Sequence, residues 1–535
     1  MAFDISSSQF ISFIQNLQNR FIKIDLLNYQ FQTVNSLEGV CISGNISIDA
    51  NSDLRRSGNV SLVVQKTDFQ VDPGGQIWLD KYLKVWVGIE NTSVSSIKNK
   101  VRFIVNQSQL LPTENLKIGD IAKVIYDSDY NNNTTYYRCT SPSSESISEI
   151  WTCLGEEISY INCGIYIIDA PNYNFDMSNN TLSLNLLDLM AKLTGVRNGY
   201  LPGTPVVLSA GENIRQTIID TLALGGFTKY VVEEAPAPGI IPNDIEFGQG
   251  TTIYDLLSAL KDIYPNYEMF FDTEGVFYYK PIPTGSQEPI TIDDSLWNNI
   301  VISEQIDVDF QNVKNVIEVY GRTHDPAHFS TETTVSSSGV ISLTIADVTE
   351  YTENMVYGFT LTDNPGYTAP TLRINNLTSY PIFMSDGETE AEIPAEKGEI
   401  YYCVEFKGTY WNWMGHLQSY GYAEDDNPQS PFYVNSSVGK ILLPLFDSDY
   451  SNCITDDLAQ QRANYELWLH TNMNNTIQLT CVPIPFLDVN ILVEYTNNQN
   501  KQTNQYIIKS IDFGLAPEES MTLTMIQFYP EYSNI

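Results

Sequence analysis

Apolar and polar residues alternate with period two along much of the first 200 residues. Val60, Leu62 and Val64 interleave with Asn59, Ser61 and Val63. Val85, Val87 and Ile89 repeat the pattern, as do Leu182, Leu184 and Leu186 against Thr181, Ser183 and Asn185. Each run predicts a strand with one buried and one polar face. A short helix is expected through Leu189, Met190 and Leu193, stopped by Gly195. Residues 112–157 interrupt this series. They are rich in Asn, Ser and Thr, carry their own aromatics (Tyr126, Tyr130, Tyr136, Tyr137 and Trp151), begin at a Pro and close with Gly155. They read as an insertion between two strands.

The period changes over residues 198–300. Ser209 with Glu212 predicts a capping box opening a helix. Ile214, Ile218 and Leu222 form its stripe, and Gly225-Gly226 end it. A second helix is expected from Thr251-Thr252, burying Ile253, Leu256, Leu257, Leu260 and Ile263 and stopping at Pro265. A hairpin follows, Tyr267 to Phe271 and Val276 to Tyr279, turning around Thr273-Glu274-Gly275. The stretch 233–239, EEAPAPG, reads as an exposed loop. Together these make a small α/β domain.

From residue 301 the strand pattern returns with Val316, Glu318 and Tyr320 against Ile317 and Val319. Residues 325–424 read as a second insertion of short strands and Gly/Pro turns. A helix capped by Thr455, with Asp456 and Asp457 in its first turn, presents Leu458, Tyr465, Trp468 and Leu469 inward. The last strands run through Ile491, Val493 and Tyr495, then Ile507 and Ile511, then Met521, Leu523 and Met525.

Two stretches match in order. LDKYLKVWVGIENT followed by GIYIIDAPNYNFDMSNNTLSLNLLDL parallels FLDVNILVEYTNNQ followed by QYIIKSIDFGLAPEESMTLTMIQF. Each runs strand, polar turn, strand with a Tyr-Ile-Ile core, loop and Thr-Leu strand. Two copies of one β-domain would give this pattern, and so would any two antiparallel meanders.

Composition narrows the function. The 535 residues correspond to about three to four domains, and 12% aromatic content argues against disorder. Lys+Arg number 28 against Asp+Glu 65, a formal net charge of -37. This excludes a protein that wraps nucleic acid by neutralising phosphates; it fits colloidal solubility. No membrane span or Sec-type signal is expected. Seven Cys at irregular spacing make no disulfide framework and no zinc motif.

Candidate chemistry is sparse. His324 and His328 have metal-pair spacing, but Asp325-Pro326 between them break a helix, so a loop pair without function is the expectation. Asp72, Asp80, Asp188, Asp272, Glu274 and Asp488 sit beside Gly, Pro or strand ends and read as turn or cap residues, although a glycosidase pair cannot be judged from spacing. No HExxH, P-loop or GxSxG motif occurs. The chain is therefore expected not to be an enzyme and to need no cofactor or metal. The aromatic inserts offer another chemistry. The stretch GDIAKVIYDSDYNNNTTYYRCTSPSSESISEIWTCLG resembles small carbohydrate-binding modules of the chitin-binding type, and NNLTSYPIFMSDGETEAEIPAEKGEIYYCVEFKGTYWNWMG resembles β-modules of phage tail and fibre proteins. Tyr137, Trp151, Trp411 and Trp413 are the candidate sugar contacts; the other reading places Trp151 and Tyr137 in a small core.

A longer set of motifs is more specific. GNISIDANSDLRRSGNVSLVV, IWLDKYLKVWVGIEN, GIYIIDAP, LLDLMAKLTG, GTTIYDLLSALKDIYPNYEMFFDTEGVFYYKPIP, NVKNVIEVYG, DNPQSPFYV and TDDLAQQRANYELWLHTNMNNTIQLTCVPIPFLDVNILVEY together resemble bacteriophage tail baseplate-hub proteins, of the type found in phages of Gram-positive hosts. The resemblance spans nearly the whole chain except 112–157. It implies a mainly β (α+β) fold: two β-barrel-like tube domains flanking a small α/β domain, with two β-rich insertions. Residues 1–111 and 158–197 would form the first tube domain around the 112–157 module. Residues 198–300 would form the α/β domain, and 301–324 with 425–535 the second tube domain around the 325–424 insertion. The resemblance further implies a homotrimer forming a pseudo-sixfold ring at the virion tail tip, assembled in the bacterial host cytoplasm. Its partners would be tail tube and distal tail proteins, tape-measure protein, and tip spike or receptor-binding proteins. DNA would pass through the lumen without specific binding, past acidic residues in the Glu90, Asp127, Asp129 or Glu494 neighbourhoods. Some relatives continue into a peptidase or lysozyme domain, whereas this sequence stops at Ile535, so wall degradation is expected of another protein. A host-surface carbohydrate-binding adhesin is the alternative, and a peptidoglycan hydrolase, resting only on abundant carboxylates, is the third reading.

Overall fold

The computed structural model describes residues 20–528 except 38, 65–70, 91–93, 95, 107–109, 129–130, 145, 157, 176–179, 204, 237–238, 243, 284–286, 293, 331, 385, 447–449, 473–474, 500 and 517–518. Tyr130 and Asp129 lie outside the described residues, as do the side chains of Cys41, Val64, Ile89, Glu90, Tyr126 and Asp127. The fold is mainly β.

The alternating runs converge on one 13-stranded sheet. Its first half holds, in spatial order, Gly39–Asp49, Arg56–Val64, Asn180–Leu187, Ile158–Phe175 and Tyr82–Glu90, then Arg20–Leu27 and Thr33–Leu37. Its second half holds Val301–Val308, Asn475–Cys481, Met521–Phe528, Thr503–Gly514 and Leu492–Thr496, with Ile290–Thr291 beyond. Within each group of five, the strands that come first, second, fifth, fourth and third in sequence lie side by side. The two halves thus share one strand order and one pairing pattern, antiparallel at every step. Residues 166–168 and 506–508, both Tyr-Ile-Ile, lie on corresponding strands.

The period-two residues face a common interior. Val60, Leu62, Val85, Val87, Leu182, Leu184 and Leu186 from the first half are buried in the same cluster as Leu479, Val493, Tyr495, Ile511, Met521, Leu523 and Met525 from the second. Burying each such side chain is worth about 1.5–3 kcal/mol, which outweighs the weak local preference of any one strand.

The opposite face of the first half carries the α/β domain. Leu27, Tyr82, Ile165 and Ile167 pack with Leu189, Met190, Ile218, Leu222, Leu256 and Leu260. Helix Ile253–Ile263 opens with a complete capping box between Thr252 and Asp255. Helix Ile214–Leu224 is capped instead by Asn213, whose side chain accepts from the Gln216 N–H at 2.9 Å. The expected Ser209/Glu212 box does not form, because Gly211 sits at φ 83° and turns the chain out of helical geometry. The hairpin Tyr267–Phe271 with Phe277–Pro281 is present, and Gly275 takes its left-handed position at φ 74°.

Both insertions are sheets of their own, with bounds that differ from the sequence reading. The first begins earlier than residue 112: Val101–Asn106 pairs in parallel with Ile121–Ser128, followed by Asn131–Cys139 and Trp151–Glu156. The second is an eight-stranded sheet between His328 and His416. Residues 316–323 and 442–445 do not join the large sheet as part of a second tube domain. Val316–Thr323 pairs with Gln418–Glu424 and Leu442–Leu445 in a separate three-stranded sheet. Helix Asp456–Asn472 lies across it, with Ala459, Ala463 and Leu467 against Ile317 and Val319. Its other side sends Trp468 against Leu492, Ile507 and Phe528. Among the described residues no helix is long and apolar enough to cross a membrane.

Candidate functional site

The two halves of the large sheet meet along a main-chain ladder. Gly39–Asp49 pairs antiparallel with the end of Thr503–Gly514, placing Asn45 opposite Gly514, Ile46 opposite Phe513, Ile48 opposite Ile511 and Asp49 opposite Ser510. The Leu515 N–H donates to the Gly44 carbonyl and the Ala50 N–H to the Lys509 carbonyl, each at 2.9 Å. A Cβ on Gly44 would stand 2.6 Å from the Asn59 carbonyl oxygen and 3.2 Å from Leu515 Cδ1, so only glycine admits this approach.

Beside the ladder lies a buried ionic cluster drawn from three regions. Arg55 precedes and Arg56 starts a strand of the first half, Glu268 and Phe271 belong to the α/β hairpin, and Asp488, Val489 and Asn490 precede a strand of the second half. Arg55 donates to Glu268 Oε2 at 2.8 Å and to the Val489 carbonyl at 2.9 Å, with its guanidinium carbon 3.7 Å from the centre of the Phe270 ring. Arg56 donates to the Phe271 carbonyl at 2.5 Å and pairs with Asp488. The Arg56 main-chain N–H donates to Asp188 Oδ2 at 3.1 Å, while Asp188 Oδ1 caps the Leu189–Lys192 turn by accepting from Met190 at 2.8 Å. Asn490 donates to Glu268 Oε2 at 2.6 Å and accepts from Lys509 Nζ at 3.0 Å.

Electrostatics follow from burial. Desolvation opposes ionisation of Asp488, but Arg56 and Arg55 hold its carboxyl below the usual range. Asp188 lies above the carboxylate range because burial outweighs its hydrogen bonds. Lys509 is lowered to about 8, chiefly by burial, against the attraction of Glu268. A cleft of about 260 Å³ beside the cluster is lined by Asp53, Arg55, Tyr254, Glu268, Asn490 and Lys509. The ions here answer one another across three regions, and the arrangement fixes their geometry. The adjacent Arg55-Arg56 in a chain with only 28 basic residues is the sequence signal for it; reading Asp488 as a turn residue hid its partner.

The carbohydrate candidates lie elsewhere and apart from one another. Trp151 is buried in the first inserted sheet, its indole N–H donating to the Pro112 carbonyl at 2.8 Å, with Tyr137 partly buried beside it. Trp411 and Trp413 are buried in the eight-stranded sheet, and Trp411 donates to the Leu372 carbonyl at 3.0 Å. These indoles fill cores, as in the reading that places Trp151 and Tyr137 in a small core, and Trp411 and Trp413 are enclosed as well. His324 Nε2 donates to the Ile454 carbonyl, 2.7 Å away, while His328 stacks on Tyr357, so the two take separate structural roles. Asp272 closes the hairpin turn through the Glu274 and Val276 N–H groups. Glu274 pairs with Lys84 at 2.8 Å. Glu494 lies on Leu492–Thr496, where its carbonyl accepts from the Trp297 indole at 3.3 Å. Among the described residues no group of His, Cys, Asp and Glu is arranged to hold a metal ion.

The family described as a domain of unknown function (DUF5048) matches residues 429–532. The chain matches no curated protein in sequence. Among solved structures it is similar to the 43 kDa tail protein of prophage MuSo2 from Shewanella oneidensis, at 10% identity and TM-score 0.44, over 96% of this chain and 100% of that one. It is also similar to a tail protein from Neisseria meningitidis MC58, at 8% identity and TM-score 0.45, over 96% and 98%. A third is prophage tail protein gp18 from Listeria monocytogenes EGD-e, at 8% identity and TM-score 0.38, over 94% of each chain.

Proposed function

We propose that this chain is a structural hub protein of a phage-type tail tip. A homotrimer forms a pseudo-sixfold ring that joins the sixfold tail tube to threefold tip proteins and surrounds the channel through which DNA leaves. Tail tube and distal tail proteins dock on one side, and spike or receptor-binding proteins on the other; tape-measure protein occupies the lumen before ejection. The chain acts by assembly, without an enzymatic step. One observation carries this reading: two halves of one sheet, identical in strand order, stand side by side in one chain, joined by a main-chain ladder. A chain that places two copies of one unit next to each other lets three copies present six similar units. The motif set named above supports the same reading independently.

The net charge of -37 fits a wall that repels phosphate and lets DNA slide. The adhesin alternative has no support from the tryptophans, whose rings are enclosed. Light scattering on the full chain at increasing concentration tests the hub: a particle of three chains is expected, and a stable dimer overturns it. Neutralising acidic residues that line the channel should slow DNA ejection, and unchanged ejection overturns the charge argument.

A further inference from the structure

The shared strand order puts each residue of one half at an equivalent place in the other. Asn180–Leu187 and Met521–Phe528 correspond with Thr181 at Thr522, and through their partners Arg56–Val64 and Asn475–Cys481 correspond with Val63 at Thr480. Val308, opposite Asn475, then occupies the place of Ile46, opposite Gly58, and Phe310 that of Ile48. On the other side, Asn174 opposite Thr181 matches Asp512 opposite Thr522, so Phe175 occupies the place of Phe513 and Tyr173 that of Ile511.

Equivalent residues differ sharply in exposure. Ile46, Ile48 and Phe513 are 0%, 5% and 3% exposed, because the in-chain ladder joins their strands. Val308, Phe310 and Phe175 are 47%, 78% and 71% exposed. Both free sites lie at unpaired backbone: among the described residues Val301–Val308 has a partner strand on one edge alone, and beyond Ile167 the strand Ile158–Phe175 pairs only with Asn180–Leu187. The same strand faces that feed the core, through Ile306 and Tyr173, run on past these edges into solvent. An apolar face that continues beyond an unpaired edge is a surface awaiting a strand.

We propose that a second copy of this chain fills it: the Val301–Val308 edge of one copy pairs antiparallel with the Tyr173–Phe175 edge of the next, setting Val308 opposite Phe175 and bringing Phe310 over Tyr173. The joint repeats between copies the ladder that Gly39–Asp49 and Thr503–Gly514 make within one. It is heterologous, since two different edges meet, so each copy offers one edge forward and one backward, and three copies close as a ring where each joint turns the chain by a third of a circle. The turn held by Asp309 Oδ1, which accepts from the Gln311 N–H at 2.8 Å, ends the ladder after Val308, so Phe310 contributes as a side-chain contact. This inference deepens the hub reading and rests on it for the number of copies, but the strand pair itself comes from the duplicated sheet.

The test uses the full-length protein in a Cys153→Ser background, which removes the exposed free thiol, carrying both Val308→Cys and Phe175→Cys under mild oxidation, with each single variant as control. Covalent multimers are expected from the double variant and none from the single ones. Val308→Asp with Phe310→Asp should shift the particle to monomer in light scattering with an unchanged far-UV circular dichroism spectrum, since both side chains are exposed in the single chain; Leu224→Asp, exposed on helix Ile214–Leu224, should leave assembly intact. A trimer that persists in the double Asp variant and gives no cross-link overturns this joint and leaves the hub reading standing. A chain that stays monomeric at high concentration and gives no cross-link overturns both.

Discussion

His416 Nδ1 lies 2.8 Å from Asp456 Oδ2, tying the last strand of the inserted eight-stranded sheet to the first turn of helix Asp456–Asn472. The same carboxylate accepts from the His416 main-chain N–H at 3.0 Å and from the Tyr420 N–H at 2.8 Å, and Glu396 Oε1 stands 3.2 Å from His416 Nε2. Burial alone lowers the imidazole pKa, but Asp456 and Glu396 outweigh it and raise the value above the ordinary histidine range. A raised folded-state pKa means the stabilisation is complete below about pH 6.5 and fades as pH climbs through the folded value. Thermal melts at pH 6 and pH 8 should show a lower melting temperature at pH 8, and His416→Gln should remove that part of the slope. Equal slopes in parent and variant would refute the link.

Lys509 works in the opposite sense. Its pKa falls to about 8 in the folded protein, below the unfolded value of about 10.4. Between those values the unfolded chain binds the extra proton, so the contribution of Lys509 to stability rises with pH. Denaturant titrations of the parent and Lys509→Met at pH 7.5 and pH 9.5 should show the parent gaining relative to the variant at the higher pH.

Arg56→Ala strips Asp488 of its nearest cation and leaves the Phe271 carbonyl without its donor. Removing one partner of a fully buried pair costs about 3–5 kcal/mol; Asp488 keeps 27% of its side chain exposed, so water relieves part of that cost and the loss falls below this range. The expected result in urea is a lower midpoint. Because the cluster joins three regions, a second transition should also separate from the first. A midpoint within error of the parent would show that the Arg56–Asp488 pair does not stabilise the fold.

Gly421→Ala probes how the helix seats on its sheet. A Cβ at this position would lie 2.2 Å from the Ala459 carbonyl oxygen, which is rigid helix backbone. Overpacking of this kind costs about 1–3 kcal/mol, and hydrogen exchange should quicken in Asp456–Asn472 and in Gln418–Glu424 together while the large sheet stays protected.

Legibility in the sequence tracked how locally each element is determined. Leu182, Leu184, Leu186, Met521, Leu523 and Met525 were readable because a half-buried strand writes its burial at period two, and each is buried. Thr252 announced its helix because cap and box are local chemistry. The helix at Asp456–Asn472 was readable from its cap, but its inward stripe was only half of the story. It packs Ala459 and Ala463 on one side and Trp468 on the other, so no single stripe describes it. Val316–Thr323 has strand character without any mark of which sheet it joins, since pairing is settled by partners about a hundred residues away. The tryptophans left two readings open for a related reason: an indole that fills a core and one that stacks on a sugar look alike in one dimension, and the Leu372 and Pro112 carbonyls that take up the N–H groups of Trp411 and Trp151 mark them as enclosed. The ion cluster had a visible half in Arg55-Arg56, with its acids scattered from Asp188 to Asp488.

The ladder between the halves also sets a timetable. Asn45 and Asp512, whose side chains meet across it, are 467 positions apart in the chain. At translation rates of roughly 5–20 residues per second, the strand Gly39–Asp49 emerges about 20 to 90 seconds before the strand that covers it exists. During that interval the nascent chain carries an uncovered β-edge with Ile46 and Ile48 beside it, so ribosome-bound intermediates of this protein are the species most in need of a chaperone.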